Sequence, residues 1–118
     1  MKTSLDPRHR KRIKLVQQLF AATFAHGRSE EEIPEIATHL PKIDAQIQAA
    51  APEWPLEKVS KIDLSILRLA AYELTIVKKE PPKVIIDEAV EIAKEFGSDT
   101  SPKFINGALG TILKNLWH

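Results

Sequence analysis

Apolar residues recur at spacings of three and four along most of this 118-residue chain. Such spacing places them on one face of an α-helix, because an α-helix turns once every 3.6 residues. Proline and glycine divide the pattern at points where helices commonly begin or end. No segment alternates apolar and polar residues between hairpin-turn residues, as a β-strand would. The sequence therefore predicts an all-α fold, a bundle of about six helices.

The first two helices have recognisable boundaries. Asp6 and Pro7 are typical of an N-cap followed by proline at the first helical position, and Gly27 is placed to end this helix. Ser29 begins a capping-box pattern for the next helix. Pro41 is expected to kink or split that second helix, because proline removes a backbone hydrogen bond and crowds the preceding turn.

Three further helices follow a connector at 51–55. They are predicted over 59–74, from Lys83 to Gly97, and from Thr100 to 116. The side chains expected to face the core along the chain are Ile13, Val16, Phe20, Phe24, Ile33, Ile36, Ala37, Leu40, Ile43, Ile47, Val59, Ile62, Ile66, Leu69, Ala70, Leu74, Ile85, Ala89, Ile92, Phe96, Ile105, Leu109, Ile112 and Leu116.

Length and composition predict one globular domain over 1–118, with N-terminal helices in 1–51 and a C-terminal sub-bundle in 56–118. Hydrophobic residues make up 43% and charged residues 28%, which excludes a disordered chain. The chain has no cysteine, so disulfides and cysteine-based metal sites are excluded. No apolar run approaches the roughly 20 residues of a membrane span, and no signal peptide is evident. A cytoplasmic protein that does not enter a membrane is expected.

Charge is distributed unevenly although the whole chain carries only +1. Residues 1–14 contain six basic side chains and one acid, which gives +5 and leaves −4 for the remainder. A solvated polar face is one interpretation of this run. However, cations near a helix N-terminus oppose the helix dipole, so the sequence accepts an electrostatic cost there. This favours a surface that binds nucleic-acid phosphates.

Residue patterns for catalysis or for cofactor binding are not found. None of the four histidines has a second histidine or a carboxylate pair at metal-site spacing. No serine lies in a nucleophile-elbow sequence, and four glycines form no phosphate-binding loop. We therefore predict a non-enzymatic protein with no metal or cofactor. Arg68 and Glu73, among apolar neighbours, are expected to have structural partners. Gly107 and Gly110, inside the last helix, indicate either close helix packing or a partner on that face.

Four segments of the second half resemble the NusB family in order, spacing and residue identity. They are IDLSILRLAAYEL (Ile62–Leu74), PPKVIIDEAVEIAK (Pro81–Lys94), FGS (Phe96–Ser98) and SPKFINGALG (Ser101–Gly110). Each segment alone would be a weak signal, but the ordered set is specific. The resemblance is strong over 56–116 and looser over the basic first helix and the tryptophan-proline connector.

This resemblance implies two small antiparallel helical sub-bundles and a role in transcription antitermination. NusB proteins bind single-stranded boxA RNA jointly with the ribosomal protein NusE, within an RNA polymerase complex that transcribes ribosomal-RNA operons. The resemblance also allows a homodimer. The stretch between Phe24 and Trp54 is shorter than family members commonly have, so a reduced N-terminal bundle is expected.

The resemblance also assigns residues to surfaces, and some assignments have alternatives. Phe104 either stacks on a base or packs in the core, and Thr100 stands where some relatives have an acid. The partner-facing acids that would pair with basic residues of NusE are Glu57 and Asp63. The residues assigned to RNA are Arg8, His9, Arg10 and Arg12 on the first helix, and Thr100, Lys103 and Phe104 at the last helix.

Two other functions remain as alternatives. The same module occurs as the RNA-binding N-terminal domain of a ribosomal-RNA cytosine methyltransferase, although this chain ends at His118 without a catalytic domain. Alternatively, the chain is a homo-oligomeric helical scaffold whose basic helix serves solubility. Salt-dependent RNA binding would separate the adaptor from the scaffold, and light scattering would detect the self-association that a scaffold requires.

Overall fold

The structure is a computed structural model that describes residues 6–24 and 33–116. The α-helices of these ranges are α1 (Pro7–Ala22), α2 (Pro34–Ala37), α3 (Leu40–Ala50), α4 (Lys61–Tyr72), α5 (Pro82–Phe96) and α6 (Ser101–Asn115). A 3₁₀ turn (Leu56–Lys58) precedes α4, and a π-helical turn (Glu73–Val77) continues it. The described ranges contain no β-strand, so the predicted all-α fold of about six helices is confirmed.

Local sequence signals place the start of α1 and the break before α3. The carboxylate of Asp6 accepts a 2.8 Å hydrogen bond from the backbone N–H of Arg8, and Pro7 occupies the first turn. That hydrogen bond is the main reason why the pKa of Asp6 lies below its ordinary value. Pro41 lies in the first turn of α3, so the predicted split occurs just before it. The predictions at Gly27 and Ser29 lie outside the described residues.

Helix α4 is the centre of the packing and contacts α1, α3, α5 and α6. One hydrophobic cluster includes buried side chains from all six helices. Within the described residues, no helix is both long enough and apolar enough to cross a bilayer. The largest hydrophobic side chains that are fully buried are Leu19, Ile43, Ile47, Ile66, Leu67, Ile85, Ile92, Ile105, Leu109 and Ile112.

Four aromatic or leucine side chains predicted to face the core are exposed. Phe20 and Phe24 lie outside the buried line of α1, in which Leu19 takes the inward position. Phe96 is the last residue of α5 and Leu116 follows the end of α6, and both are 41% exposed. The predicted helical spacing is correct. The predicted rotation of α1 about its axis is wrong, and the buried faces of α5 and α6 end before Phe96 and Leu116.

The glycines also differ from expectation. A Cβ atom added at Gly107 or Gly110 would meet no other atom within 4 Å, so close packing explains neither residue. Gly97 ends α5 as predicted, and its backbone N–H donates to the carbonyl of Ala93. A Cβ atom at Gly97 would lie 2.5 Å from the hydroxyl oxygen of Ser101, so this turn requires glycine for its close approach.

Two leucines, one within α6 and one just after it, test this assignment of the core. Leu109→Ala is expected to lower the free energy of unfolding by about 2–5 kcal/mol, because Leu109 is fully buried and its loss leaves a cavity. Leu116→Ala removes the same atoms from an exposed position and should cost less than about 1 kcal/mol. Urea unfolding followed by circular dichroism measures both values. Equal losses would contradict the difference in burial between the two side chains.

Candidate nucleic-acid interface

The basic side chains of α1 fall into two groups that differ in burial. His9 and Arg12 are buried, the latter only 7% exposed. They lie three residues apart, so both point toward α4 and α5 on the inner face of the helix. The other basic residues of α1 are exposed to solvent. They are Arg8, Arg10, Lys11 and Lys14.

The guanidinium of Arg12 is enclosed by three glutamates. It forms a bidentate ion pair with Glu73, with Nε donating to Oε2 at 2.9 Å and Nη2 donating to Oε1 at 2.8 Å. Nη2 also donates to Glu80 at 2.6 Å, and Nη1 donates to Glu88 at 3.2 Å. The hydrogen bond with Glu73 is the main reason why the pKa of Arg12 is raised above its ordinary value. We call these four residues the Arg12 cluster.

The backbone after α4 brings two of these glutamates to the arginine. Glu73 is the first residue of the π turn, and the backbone N–H of Lys78 donates to its carbonyl at 2.8 Å. Lys78 ends the turn in the left-handed conformation, with φ 53° and ψ 32°. This conformation costs a residue other than glycine roughly 1–2 kcal/mol. The reversal returns the chain toward α1, where Glu80 contacts Arg12.

His9 extends the contact from α1 to the end of α5. Its Nδ1 lies 3.1 Å from Oε1 of Glu88, the same oxygen that accepts from Arg12. Its Nε2 lies 3.7 Å from a carboxylate oxygen of Glu95. The first turns of α1 therefore contact α5 at two positions that lie seven residues, or about two helical turns, apart.

Two of the predicted RNA-contacting residues need correction. The side chains of His9 and Arg12 are buried and face carboxylates of this chain, so they are not available to an external phosphate. Arg8 remains 71% exposed, and its ion-pair contacts are long, 3.6 Å to Asp6 and 4.0 Å to Glu80. Arg10 is exposed and has no acid of the described residues within ion-pair distance. The positive surface of α1 is thus retained without His9 and Arg12.

The predicted residues near α6 lie at the same end of the molecule as Arg8 and Arg10. Thr100 is exposed in the turn before α6, and Lys103 is exposed in the first turn of the helix. The Ser101 hydroxyl accepts a 2.9 Å hydrogen bond from the backbone N–H of Ser98, which fixes the turn. Phe104 is half-buried and packs against the hydrophobic cluster, which favours the core-packing interpretation.

Phe96 is a candidate that the sequence reasoning missed. It directly follows Glu95, whose carboxylate contacts His9, so it lies beside the start of α1. Its ring is exposed. The sequence signal for this exposure was the position of Phe96 as the last helical residue before Gly97, because side chains at the end of a helix are less often covered by neighbouring helices. We call the surface that carries Arg8, Arg10, Phe96, Thr100 and Lys103 the basic end.

The predicted partner-facing acids lie near the opposite end of α1. Glu57 is exposed in the 3₁₀ turn, whereas Asp63 is buried in the first turn of α4. The backbone N–H of Asp63 donates to the hydroxyl of Ser60. Its carboxylate oxygen Oδ1 is buried and has no hydrogen-bond partner among the described residues. A buried carboxylate oxygen without a donor is costly. Like His9 and Arg12, Asp63 is too buried in this structure to be available to another molecule, so its predicted role in partner contact needs correction.

Two exposed phenylalanines accompany these acids. The rings of Phe20 and Phe24 meet edge to face, with centroids 5.1 Å apart. The ammonium of Lys61 lies 5.4 Å from the centroid of Phe24, which joins the end of α1 to the start of α4. Exposed aromatic side chains are enriched in protein-protein contact surfaces. We call the surface formed by Phe20, Phe24 and Glu57 the aromatic end.

A cavity of about 890 Å³ lies between α1, α2 and the π turn. Its lining combines aliphatic side chains with charged groups, several of which belong to the Arg12 cluster. Tyr72 faces this cavity, and its pKa is raised by burial and, secondarily, by the charge of Glu35. Within the described residues, no three histidine or acidic side chains are grouped as metal ligands. These features do not form an arrangement of nucleophile, base and orienting group.

Comparison with known proteins identifies one family. The sequence profile of the NusB family matches residues 26–114. The transcription antitermination protein NusB of Chloroflexus aggregans is 49% identical over 77 residues, covering 64% of this chain and 51% of that protein. The NusB protein of Geobacter sulfurreducens is 42% identical over 94 residues, covering 78% of this chain and 68% of that protein. The chain spans about half the length of relatives such as the Chloroflexus protein.

A solved structure agrees with the sequence comparison. T. maritima NusB (crystal form 2) superposes with a TM-score of 0.82 at 36% identity, covering 97% of this chain and 93% of that one. The Chloroflexus and Geobacter relatives are both named as antitermination proteins, not as enzymes. This agrees with the prediction of a non-catalytic protein.

The Arg12 cluster can be tested by comparing two arginines two residues apart. Arg12→Gln is expected to lower the free energy of unfolding by about 3–5 kcal/mol, because it leaves buried carboxylates without their counter-charge. Arg10→Gln, the same change on the exposed face, should alter it by less than about 0.5 kcal/mol. Arg12→Lys keeps the charge but loses the bidentate contact, so an intermediate loss in the free energy of unfolding is expected. Equal urea midpoints for the two glutamine variants would contradict the structural role of Arg12.

Proposed function

This chain belongs to the NusB family, and from that premise we propose that it is a non-catalytic RNA-binding adaptor in transcription antitermination. It binds boxA-type single-stranded RNA together with ribosomal protein NusE, and it acts within the RNA polymerase complex that transcribes ribosomal-RNA operons. The observation that carries the proposal is the separation of charges on α1. One arginine is neutralised internally while Arg8 and Arg10 remain exposed. Bacterial transcription takes place in the cytoplasm, so the proposal includes that localisation.

The basic end suits an RNA backbone for electrostatic reasons. Arg8 and Arg10 project from the first turns of α1, and Lys103 adds a further exposed cation from α6. Phosphate contacts by such side chains release counterions, which makes the affinity depend strongly on salt. They position the RNA without reading its sequence.

An exposed aromatic ring complements these cations. Single-stranded RNA offers unpaired bases that can stack on aromatic side chains. Phe96 has an exposed ring at the basic end, whereas Phe104 is half-buried against the core. We therefore assign base stacking to Phe96 and core packing to Phe104. Thr100 and Lys103, which flank the same turn, are retained as RNA contacts.

The aromatic end is the proposed contact surface for NusE. Glu57 offers an exposed carboxylate, whereas Asp63 is buried. Basic side chains of the partner would pair with Glu57, and the pairing would contribute mainly to specificity. Phe20 and Phe24 supply the apolar contact. Because α1 rises about 1.5 Å per residue, the two ends lie roughly 20 Å apart. RNA and NusE can therefore be bound at the same time.

Replacement of the two exposed arginines tests the RNA surface. Arg8→Ala/Arg10→Ala is expected to weaken binding of a labelled boxA-type RNA about tenfold or more. It should also reduce the slope of log affinity against log salt by about 1.4, or about 0.7 per lost phosphate contact. Fluorescence anisotropy over a salt series, with and without NusE, measures both quantities.

The matched control removes two exposed lysines that are not part of the basic end. Lys42→Ala/Lys114→Ala lowers the net charge by the same amount, so it reports on non-specific attraction. Its salt slope should equal that of the wild type. If both double variants lose the same slope, the cations of α1 do not form a specific RNA surface.

The two phenylalanines allow a separate test of base stacking. Phe96→Ala is expected to weaken RNA binding by about 1–3 kcal/mol with little change in stability, since the ring is exposed. Phe104→Ala should instead lower the melting temperature, while the folded protein keeps its RNA affinity. Anisotropy and thermal unfolding of both variants provide the measurements. The reverse result would return the stacking role to Phe104.

A further inference from the structure

The imidazole of His9 lies between two carboxylates of α5. Nδ1 faces Glu88, which is almost fully buried, and Nε2 faces Glu95, which is 48% exposed. Arg12 of α1 also contacts Glu88, and it shares the oxygen Oε1 of that carboxylate with His9. Both ring nitrogens of a buried histidine are thus directed at acids that belong to one neighbouring helix.

The protonation state of His9 determines how many of these contacts it can make. A neutral imidazole carries one N–H and can donate to one acceptor, whereas the protonated ring carries two. Only the protonated ring can therefore donate to Glu88 and also form an ion pair with Glu95, whose oxygen at 3.7 Å lies beyond hydrogen-bond distance. In that form, His9 links the first turn of α1 to both the buried part and the exposed end of α5.

The contact between His9 and Glu95 affects the basic end because both residues are neighbours of its exposed side chains. His9 stands between Arg8 and Arg10 in the chain, and Glu95 stands beside Phe96. A contact between His9 and Glu95 therefore sets the distance between the exposed arginines and the exposed ring. The Arg12 cluster lies one turn further along α1 and holds that helix to the body, without reaching Glu95.

We propose that His9 is a positioning residue for RNA binding: its bridge to Glu88 and Glu95 aligns Arg8 and Arg10 with Phe96. The inference rests on the proposed RNA-binding function and adds to it a residue that does not touch RNA. Preorganised contacts bind more tightly because less ordering is required on association. Loss of the bridge leaves the contact residues in place but lets the first turn of α1 move relative to α5.

Glu95→Gln is the most informative variant, because simple electrostatics and positioning predict opposite results. Removal of a negative charge near phosphates should tighten RNA binding if charge alone matters. If the bridge aligns the surface, RNA affinity should instead fall about two- to fivefold, as expected for a partly exposed ion pair. The matched control is Glu91→Gln. It removes an acid of similar exposure, 45%, one turn earlier on α5, where it pairs with Lys94.

A pH series gives a readout that a merely structural role would not change. RNA affinity is measured against pH in the wild type and in the variants. In His9→Gln and in Glu95→Gln the dependence of affinity on pH should be smaller than in the wild type, because the two-sided bridge cannot form. Glu91→Gln should keep the wild-type dependence, since it leaves His9, Glu88 and Glu95 unchanged.

The outcomes separate this inference from the function on which it rests. Weaker RNA binding by Glu95→Gln, with an unchanged melting temperature and a reduced pH response, supports the positioning role. Equal or tighter binding by Glu95→Gln, a wild-type pH response in His9→Gln, or an affinity loss that follows a loss of melting temperature overturns it. If Arg8→Ala/Arg10→Ala still weakens binding, only the positioning role fails. If the wild type does not bind RNA, the proposed function fails and this role fails with it.

Discussion

A buried arginine determines how the first helix docks on the rest of the protein. Removal of a guanidinium from water costs several kcal/mol unless carboxylates surround it, and Arg12 is surrounded by three. Glu73 comes from the π turn, Glu80 from the connector after it, and Glu88 from α5. Because these acids belong to separate segments, Arg12 satisfies all of them in one position only. Apolar packing alone would tolerate more than one rotation of α1 about its axis.

That rotation also determines which residues of α1 reach solvent. Successive residues of an α-helix are turned by about 100°, so burial of Arg12 places Arg10 on the opposite side of the helix. Val16 and Leu19 continue the buried line, and Phe20, one position beyond Leu19, is left exposed. The aromatic end and the exposed cations thus have a common cause. Both follow from the orientation that lets one arginine meet its glutamates.

The parts of the fold that the sequence predicted correctly depend on local chemistry. An N-cap at Asp6 and a helix break before Pro41 follow from rules that involve a few neighbouring residues. Burial of Arg12 depends on acids 61 to 76 positions away, and no local pattern reports them. The concentration of basic residues therefore located the candidate RNA surface. It did not show that His9 and Arg12 are buried whereas Arg8 and Arg10 are exposed. Phe96 was misplaced because helical periodicity does not show where the neighbouring helices end.

The Arg12 cluster also limits the positive electrostatic potential at the basic end. Three glutamates around one guanidinium place negative charge beneath the exposed cations, in a region where water screens poorly. Arg8 and Arg10 must outweigh this charge to attract a phosphate backbone. Glu88 belongs to this cluster and also contacts His9. The residue proposed to align the surface therefore lies directly against the acids that oppose its positive charge.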